Sequence, residues 1–468
     1  MNSIKFGTDG WRAIIADDYT VDNVVRVSQA TAEWLVKNYK KPLAVVGYDC
    51  RFGGKLFAET VAKVLAHNGI KTLLSTGIAS TPMVSLGVVK NKASFGIIIT
   101  ASHNPPDYNG FKLKGEYGGP LLADKVKEIE DIIPTSVPVD VSKLSLDNFL
   151  KKGLIEYTDL ESLYCKHVEN NFDIKLIKKS GIRIAYDAMY GAGQNVIKRL
   201  LPDAALLHCV YNPGFGGTAP EPIDRNLGEL KTFIKKTKSI DVGVATDGDA
   251  DRIGLYNGKG QFIDSHLIIL ILVTYLVKYK KMSGKVCVAF SVTEKIKKMC
   301  AHYNLPLQAV KVGFKYVCDV MINEDVLLGG EESGGIAIKG HIPERDGVWI
   351  GLTIVEYMAR TGKTLDELVK EALKITGKFA YRRIDLHLTE HIKQRVLKNC
   401  NENKYTHFGK YKVKRIETID GFKFFFNDDS WLMLRASGTE PVLRTYAEAP
   451  TAAIADDILA AAGKVIMA

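Results

Sequence analysis

The 468-residue sequence lacks the features that mark exported and membrane proteins. Its 7 cysteines are odd in number and scattered, with no Cys-x-x-Cys pair, which argues against a disulfide framework or a thiolate metal site. Its longest apolar stretch, residues 267–277, is interrupted by Thr274 and is shorter than the roughly 20 residues that span a bilayer. We therefore expect a buried helix at this stretch and no association with a membrane.

The N-terminal segment lacks a basic stretch followed by an apolar core, so no secretory signal is expected and the predicted location is the cytoplasm. The charge excess is mild, because 63 Lys and Arg against 53 Asp and Glu give a net charge of +10. Such a surplus admits nucleic acid, acidic membranes or phosphorylated small molecules as partners. The lysines of residues 231–239 are typical of a solvated helix face, so we expect no nucleic-acid partner.

The sequence does contain a repeated pattern of short apolar strands and helical stretches. A strand–helix–strand–helix–strand order begins at residues 42–49, at 181–188 and at 284–291. This alternation is typical of βαβ units on parallel or mixed sheets. After Gly377 the pattern changes to strand, helix, further strands and a final helix. The sequence therefore predicts an α/β fold of three similar βαβ-type domains with mixed sheets, followed by a C-terminal α+β domain.

The third strand of each repeat runs directly into a polar loop. These loops are TASHNP (100–105), DGDADR (247–252) and GEESGG (330–335), and RASGTEP (435–441) follows a strand of the last domain. Ligands of open α/β sheets bind beyond the carboxyl ends of the strands, so we expect these loops to converge on one central cleft. The predicted domains are 1–140, 150–256, 257–372 and 378–468, and each supplies one of these loops.

Asp247, Asp249 and Asp251 stand at alternate positions of DGDADR, with small residues between them that let the chain wrap. Three carboxylates can then face one hard cation, and oxygen ligands suit Mg²⁺. An EF-hand calcium loop is excluded, because it needs Gly and Glu where this chain has Arg252 and Gly258. A surface turn is the alternative, but like charges crowded beyond an apolar strand repel one another unless a cation neutralises them. The pattern favours a magnesium site.

Ser102 in TASHNP follows a strand with three consecutive isoleucines. Most serines in such segments cap a helix or form a turn, and the segment lacks the G-x-S-x-G of a hydrolase. Because the loop is equivalent to the metal loop, we interpret Ser102 as the carrier of a phosphoryl group whose oxygen completes the metal shell. A histidine such as His103 is, alone, more often structural than catalytic. Lys112 is a candidate proton acceptor if neighbouring cations depress its pKa.

Other segments supply polar groups that suit a phosphorylated sugar. GEESGG offers carboxylates and a hydroxyl for sugar hydroxyls, although a tight turn is an equal alternative. RASGTEP combines a guanidinium, hydroxyls and backbone amides in a phosphate cradle, for which a hairpin turn is the alternative. FGTDGWR is a glycine-bounded turn that delivers Arg12.

In combination these motifs resemble the α-D-phosphohexomutase family, which includes phosphoglucomutase, phosphomannomutase and phosphoglucosamine mutase. FGTDGWR, TASHNP, NGFK, DGDADR, GEESGG and RASGTEP occur in the family's order over nearly the whole chain. The resemblance implies four domains around a central cleft. It also implies an isomerase that interconverts hexose 1-phosphate and hexose 6-phosphate through a bisphosphorylated sugar, with one Mg²⁺ ion and a hexose 1,6-bisphosphate activator.

The resemblance also implies roles for single residues. Ser102 would be the phosphoserine, and its phosphate would hold the metal together with the aspartates of DGDADR. Lys112 matches the position proposed as general base, with His103 nearby, and Arg252 would offset charge on the transferring group. The remaining matches are Arg12 as an active-site arginine, Glu331, Ser333 and Lys315 as substrate contacts, and Arg435, Ser437, Gly438, Thr439 and Arg444 at the phosphate that is not transferred.

The sugar preference is predicted from two short segments. Gly335 stands where members acting on mannose or glucosamine phosphates often have His, and residues 312–314 read VGF where many carry TGH. This favours phosphoglucomutase, with phosphomannomutase or phosphoglucosamine mutase as alternatives. A sugar-phosphate phosphatase and an inert sugar-phosphate-binding protein are alternatives from other classes. We expect a monomer or homodimer whose partner is a phosphorylated hexose.

Overall fold

The structure, a computed structural model, describes residues 4–427, 429–436 and 442–467. Within this described part, the chain divides into two compact units. The first unit comprises Met1–Gly284 and Gly313–Val369, and the second comprises Lys285–Val312 and Lys370–Ala468. The first unit contains the polar loops that follow the third strands of the repeats.

The first sheet has the strand order β1-β5-β4-β2-β3-β6. Its strands are β1 (Trp11–Ile14), β2 (Leu43–Tyr48), β3 (Lys71–Ser75), β4 (Phe95–Ile99), β5 (Tyr108–Gly115) and β6 (Ile155–Thr158). The strands β2, β3, β4 and β6 run parallel, while β5 is antiparallel to both β4 and β1. Every residue of β4 is buried, as expected of a parallel strand that is covered on both faces. β6 belongs to this sheet, although the predicted boundary at residue 150 places it in the second domain.

Helices accompany this sheet between its strands. They are α1 (Val21–Asn38), α2 (Gly54–His67), α3 (Thr81–Lys90), α4 (Ala123–Asp131) and α5 (Leu146–Lys151). The chain turns into α3 at Ser80, whose side chain accepts a hydrogen bond from the Met83 amide, and Pro82 occupies the first turn. The apolar faces of α1 and α2 join residues of β2 and β4 in one buried cluster.

The second sheet has the order β11-β10-β9-β7-β8. Its strands are β7 (Ile184–Asp187), β8 (Ala205–Leu207), β9 (Val242–Thr246), β10 (Ile253–Asn257) and β11 (Phe262–Ile263), and the neighbouring helices are α6 (Leu160–Asn171), α7 (Ile174–Lys179), α8 (Val196–Leu200) and α9 (Gly228–Thr237). β7, β8 and β9 run parallel, and β9 returns as the antiparallel β10. The sharp return between β9 and β10 is the segment DGDADR, which places its aspartates at the carboxyl end of a buried strand.

The third repeat and its flanking segments contribute α10 (Ser265–Thr274), β12 (Lys285–Ala289), α11 (Lys295–His302), β13 (Leu307–Val310), α12 (Phe314–Asn323), β14 (Val326–Gly330), β15 (Ile336–Ile338), α13 (Gly347–Thr361) and α14 (Leu365–Thr376). β12 and β13 run parallel, whereas β14 and β15 form an antiparallel pair. α10 is buried almost throughout, which confirms the buried helix that the apolar stretch predicted. None of the described helices is both long enough and apolar enough to cross a membrane.

The C-terminal part of the second unit contains β16 (Ala380–His387), α15 (Glu390–Asn401), β17 (His407–Phe408), β18 (Tyr411–Lys412), β19 (Arg415–Glu417), β20 (Phe422–Asn427), β21 (Ser430–Ala436), β22 (Val442–Ala449) and α16 (Ala452–Met467). The main sheet has the antiparallel order β16-β22-β21-β20-β19, and residues of α15 and α16 pack in its core. The predicted fold class, α/β repeats with mixed sheets followed by an α+β domain, is confirmed. The exact boundaries of the four domains and the central cleft stay predictions.

Candidate active site

Ser102 lies just beyond β4, and its hydroxyl points at the loop between β9 and β10. Its Oγ donates a hydrogen bond of 2.7 Å to Asp247 Oδ2. Ser102 is 1% exposed and has a φ of 53°, a left-handed conformation that costs a non-glycine residue about 1–3 kcal/mol. The structure thus brings together the two loops that the sequence analysis predicted to meet.

The candidate metal ligands are fully buried, and one carboxylate oxygen of each lies within 4.8 Å of the others. They are Asp247, Asp249 and Asp251. Lys112 Nζ contacts Asp249 Oδ2 at 2.7 Å and Asp251 Oδ2 at 3.1 Å. Arg345 Nη2 also contacts Asp251 Oδ2, at 2.7 Å, and the Thr81 hydroxyl donates to Asp249 Oδ2. The opposite oxygens, Asp249 Oδ1 and Asp251 Oδ1, are buried and accept no hydrogen bond from any described residue. Each of these carboxylates therefore has one oxygen held by side chains and one left over.

The carboxylates perturb one another's protonation. Burial, followed by the charges of Asp249 and Asp251, raises the pKa of Asp247 well above its ordinary value. Burial alone would also raise the pKa of Asp249, but the Lys112 ammonium lowers it below the ordinary value. Crowded buried carboxylates with unused oxygens are the donor set that a hard divalent cation requires. The residues present fit Mg²⁺.

Lys112 is surrounded by carboxylates, whereas the predicted proton acceptor requires neighbouring cations that depress its pKa. Its ammonium lies 2.8 Å from Asp9 Oδ2 in addition to its contacts with Asp249 and Asp251. Burial would lower the pKa of Lys112, but these carboxylates together raise it above its ordinary value. The depressed pKa expected from neighbouring cations is therefore corrected: the closest neighbours are anions, and Lys112 is a stable cation in this arrangement.

His103 has the protonation state that a proton acceptor needs. Its Nδ1 lies 3.4 Å from Ser102 Oγ. Burial, then the positive charges of Arg252 and Arg12, lower the pKa of His103 well below its ordinary value, so the ring is neutral. The Arg12 guanidinium reaches the same loop and donates to Asn104 Oδ1 at 2.8 Å. Of the predicted proton-transfer candidates, His103 combines neutrality with a position beside Ser102.

Arg252 contacts Asp247, which lies in the same segment, DGDADR. Its backbone amide donates to Asp247 Oδ1 at 3.0 Å, and its Nε lies 3.9 Å from carboxylate oxygens of both Asp247 and Asp251. These longer distances keep the guanidinium near the carboxylates without a hydrogen bond to them. Arg252 thus lies beside Asp247 and Asp251, and its role toward a transferring group stays a prediction.

Asp9 and Arg345 belong to the same cluster, although the sequence analysis did not select them. Arg345 Nη2 contacts Asp9 Oδ2 at 2.5 Å, and Asp9 also binds Lys112. Asp9 belongs to the motif FGTDGWR, from which the sequence analysis selected only Arg12 as a candidate site residue. The motif therefore gave a signal that could have identified Asp9. Arg345 has a weaker signal, a run of charged residues at 344–346 between the apolar strand β15 and the helix α13.

Glu331 follows β14 and faces this cluster. Its Oε1 accepts a hydrogen bond from the Gly313 amide at 3.0 Å, and its Oε2 lies 3.6 Å from Arg345 Nη1. Burial raises the pKa of Glu331 to about 7. Ser333 lies half-buried in the turn that follows, and Lys315 lies half-buried in the first turn of α12.

The predicted phosphate ligands of the last domain lie in the second unit. Arg435 and Arg444 are register partners on β21 and β22, and Arg435 Nε donates to Asp420 Oδ2 at 2.8 Å. Arg444 Nε is buried and has no hydrogen-bond partner within the described ranges. The other predicted ligands, Ser437, Gly438 and Thr439, lie outside the described residues.

The chain matches known sequence families along most of its length. Residues 3–138 match Phosphoglucomutase/phosphomannomutase, alpha/beta/alpha domain I, residues 162–260 match domain II, residues 264–375 match domain III, and residues 392–463 match the C-terminal domain of the same family. The order and number of the matches agree with the predicted sequence of domains.

Individual proteins match over nearly their full lengths. A phosphoglucosamine/phosphogalactosamine mutase of Sulfurisphaera tokodaii is 30% identical over 472 residues, which cover 98% of both chains. A phosphoglucomutase/phosphomannomutase of Thermococcus kodakarensis is 29% identical over 95% of this chain and 94% of its own. A crystal structure from Thermus thermophilus, described as a phosphomannomutase, matches all of both chains with a TM-score of 0.88 and 30% identity. This chain belongs to the phosphoglucomutase/phosphomannomutase family of α-D-phosphohexomutases and is a mutase that transfers a phosphoryl group within a sugar phosphate.

Proposed function

We propose that the protein interconverts hexose 1-phosphate and hexose 6-phosphate through a phosphoserine at Ser102, with glucose phosphate as the favoured substrate. The observation that carries the proposal is the 2.7 Å contact between Ser102 Oγ and Asp247 beside two further carboxylates with unused buried oxygens. The preference for glucose rests on residues 312–314 and Gly335. The relatives are named for glucose, mannose and amino-sugar phosphates, so phosphomannomutase and phosphoglucosamine mutase are the alternatives.

We propose that Asp247, Asp249 and Asp251 hold one Mg²⁺ ion together with a phosphate oxygen on Ser102. Bound there, the ion would neutralise charge on the transferring phosphoryl group and polarise its oxygens. The unused Oδ1 atoms of Asp249 and Asp251 support this ligand set. Lys112 and Arg345 keep the other oxygens of these aspartates in place, so the ligands are oriented before the ion arrives.

The side chains around Ser102 then divide the work of phosphoryl transfer. In the first step a sugar hydroxyl oxygen bonds to phosphorus and the bond from phosphorus to Ser102 Oγ breaks, while His103 takes the hydroxyl proton and passes it to the departing Ser102 Oγ. In the return step Ser102 Oγ bonds to the phosphorus of the other phosphoryl group of the hexose 1,6-bisphosphate and its proton passes to His103. The bond from that phosphorus to the sugar oxygen breaks, and His103 returns the proton to the released sugar oxygen. Arg12, Arg252 and Lys112 offset the negative charge of the transferring group, which is the main protein contribution to such reactions.

Substrate recognition is assigned to polar groups that do not carry the phosphoryl group. Glu331, whose pKa burial raises to about 7, and Ser333 are proposed to bind sugar hydroxyls, with Lys315 as a further contact. In the second unit, Arg435 and Arg444 are proposed to bind a phosphate group, which the unpartnered buried Nε of Arg444 supports. Ser437, Gly438 and Thr439 are proposed for the same phosphate from the sequence motif alone.

Several properties remain proposals from the sequence. These are the cytoplasmic location, the monomeric or homodimeric state, the absence of a nucleic-acid partner, and the domain boundaries at 1–140, 150–256, 257–372 and 378–468. The presence of a hexose 1,6-bisphosphate activator follows from the proposed return step, because a bisphosphate that escapes leaves Ser102 without its phosphoryl group.

A coupled assay of glucose, mannose and glucosamine 1-phosphates, each with its own bisphosphate, tests the substrate proposal. We expect the highest kcat/KM for glucose 1-phosphate and no turnover by Ser102→Ala. A higher value for either of the other sugars would replace the glucose assignment and leave the mutase assignment intact.

Phosphorus NMR of the same reactions separates the mutase from a phosphatase. A mutase yields the isomeric sugar phosphate with no net gain of inorganic phosphate. Inorganic phosphate that accumulates faster than the isomer would overturn the proposal in favour of hydrolysis of the phosphoserine. A binding protein without catalysis would show neither product.

A further inference from the structure

One buried arginine, Arg51, binds the backbone of the loop that carries Ser102. Arg51 follows β2, whose residues pair with those of β4 in parallel register up to Tyr48 and Ile99. The carboxyl ends of the two strands therefore coincide, and the segments that follow them meet. Arg51 is 1% exposed, so its charge is enclosed together with the Ser102 loop.

The Arg51 guanidinium binds the backbone of this loop and none of its side chains. Nη2 donates to the carbonyl oxygens of Ser102 and Asn104, both at 2.7 Å. Nη1 donates to those of Pro105 and Tyr108, at 2.8 and 2.9 Å. Each of these two nitrogens carries two hydrogens, so the loop carbonyls use all four of them.

The partner of Arg51 fixes the beginning of the same loop. Asp49 Oδ2 lies 3.3 Å from Arg51 Nε and accepts a hydrogen bond from the Thr100 hydroxyl at 2.5 Å. The Thr100 hydroxyl in turn accepts a hydrogen bond from the Ser102 amide at 2.9 Å. The ring of Phe215 covers the guanidinium, with its centroid 5.0 Å from the Arg51 Cζ atom. Asp49 and Arg51 therefore hold the chain on both sides of Ser102.

The left-handed backbone at Ser102 needs such support, because a serine does not adopt it at no cost. Arg51 donates hydrogen bonds to the loop carbonyls on one side of the chain, while the Ser102 hydroxyl points to Asp247 on the other side. We propose that Arg51 is a positioning residue that holds Ser102 in the conformation that accepts and returns the phosphoryl group. This inference rests on the proposed role of Ser102 as the phosphoryl carrier.

Lysine cannot replace arginine in this role, although it keeps the charge. Its ammonium has three hydrogens on one tetrahedral nitrogen and cannot reach carbonyls spread across the planar fork. Arg51→Lys should therefore leave loop carbonyls without donors and let Ser102 sample other conformations. We expect kcat to fall about 30-fold with KM within about twofold, since the substrate contacts are untouched.

The test measures kcat, KM, the melting temperature and the single-turnover rate at which labelled hexose bisphosphate phosphorylates Ser102. Arg26→Met is the matched control, because Arg26 is also buried and binds a backbone carbonyl, that of Pro134, at 2.7 Å in the same unit. In Arg51→Lys we expect the phosphorylation rate to fall in parallel with kcat. In Arg26→Met we expect a lower melting temperature and a kcat within about twofold of wild type.

A phosphorylation rate and kcat within twofold of wild type in Arg51→Lys would overturn the inference. An equal loss of kcat in Arg26→Met would do so too, because the effect would then come from general destabilisation. If Arg51→Lys does not fold, the same comparison applies to Arg51→Gln, which removes the buried charge. Wild-type protein that takes no label on Ser102 would contradict the proposed function instead, so the two failures are distinguishable.

Discussion

The two units each contain a buried cluster of ionisable side chains, and the clusters differ in how their charge is neutralised. In the first unit, Asp249 and Asp251 share Lys112 and still have an unused oxygen each. In the second unit, Lys423 Nζ donates to the Phe290 carbonyl at 2.6 Å and to Glu294 Oε1 at 2.8 Å. The first cluster has carboxylate oxygens without a hydrogen-bond partner among the described residues, whereas the ammonium of the second donates to a carbonyl and to a carboxylate.

The second cluster also contains the carboxyl group of Glu448, whose Oε2 accepts no hydrogen bond from any residue that the structure describes. Burial raises the pKa of Glu448 to about 7, so a proton can neutralise it. The rings of Phe290 and Trp431 lie 4.3 and 4.5 Å from Lys423 Nζ and shield the cluster with apolar surface. Buried charge by itself therefore does not identify a binding site. Several adjacent buried carboxylates with unpaired oxygens fit a cation site, and among the described residues the first unit has such a set.

The largest expected effect comes from removing one of these carboxylates. Asp249→Asn should lower kcat by about 1,000-fold or more and abolish its dependence on Mg²⁺, because a neutral amide is a poor ligand for a hard cation. Steady-state kinetics over a Mg²⁺ titration measure this, and circular dichroism checks the fold. Asp131→Asn, at an exposed surface position, is the control. Full Mg²⁺-dependent activity in Asp249→Asn would reject the metal assignment.

Arg345→Met tests whether the cations of the first cluster orient the aspartates. The variant leaves Asp9 and Asp251 without one of their partners, so we expect kcat to fall about 100-fold and the Mg²⁺ concentration for half-maximal activity to rise. Arg199→Met removes a surface ion pair with Glu161 and should change neither quantity. An unchanged Mg²⁺ dependence in Arg345→Met would show that the ligands are oriented without it.

Lys423→Met tests whether the second cluster contributes to stability and not to catalysis. We expect the free energy of unfolding to fall by about 2 kcal/mol, because Glu294 loses one buried partner but keeps Lys297. kcat should stay within about twofold of wild type. Denaturant unfolding followed by an activity assay of the folded variant measures both, with the exposed Lys398→Met as control. A large loss of kcat at unchanged stability would remove the distinction between the clusters.

The smallest expected effect is a change in pH dependence at two glutamates, one in each unit. Folded Glu331 and Glu448 hold their protons up to about pH 7, whereas the unfolded chain releases them near its ordinary value of 4.5. The free energy of unfolding should therefore decrease as the pH rises from about 4.5 to about 7. Glu331→Gln and Glu448→Gln should each remove that residue's share of this decrease.

Melting temperatures measured across this pH range check the change in stability, and only Glu331→Gln should also raise KM. An equal rise of KM in both variants would contradict the assignment of sugar contacts to Glu331.

The sequence predicted the parts of the site that lie at strand ends. Ser102 and the aspartates of DGDADR lie on two different sheets, and each could be placed at a ligand-binding edge because ligands of open α/β sheets bind beyond the carboxyl ends of the strands. The candidate metal ligands also stand close together in the chain, so their spacing was enough to predict a cation site. The buried α10 was predictable from the sequence, because an apolar stretch too short to span a bilayer is stable only in the protein core.

The rest depended on contacts that sequence spacing does not encode. Arg345 meets Asp9 across 336 positions of the chain, and no local pattern indicates such a pair. The charge around Lys112 was not predictable, because its carboxylate neighbours Asp9, Asp249 and Asp251 come from other loops. Arg51 binds carbonyl oxygens, which every residue has, so its role leaves no motif. The four-residue strand β6 is too short to show the sheet to which it belongs.

The central claim is that Ser102 carries the phosphoryl group, and the most direct test follows that group. The protein is incubated with Mg²⁺ and hexose 1,6-bisphosphate labelled in its phosphoryl groups, and the labelled peptide is identified by mass spectrometry. The account predicts label on the peptide containing Ser102, its return to added hexose monophosphate, and no label in Ser102→Ala. Label on a different residue, or wild-type turnover by Ser102→Ala, would contradict it.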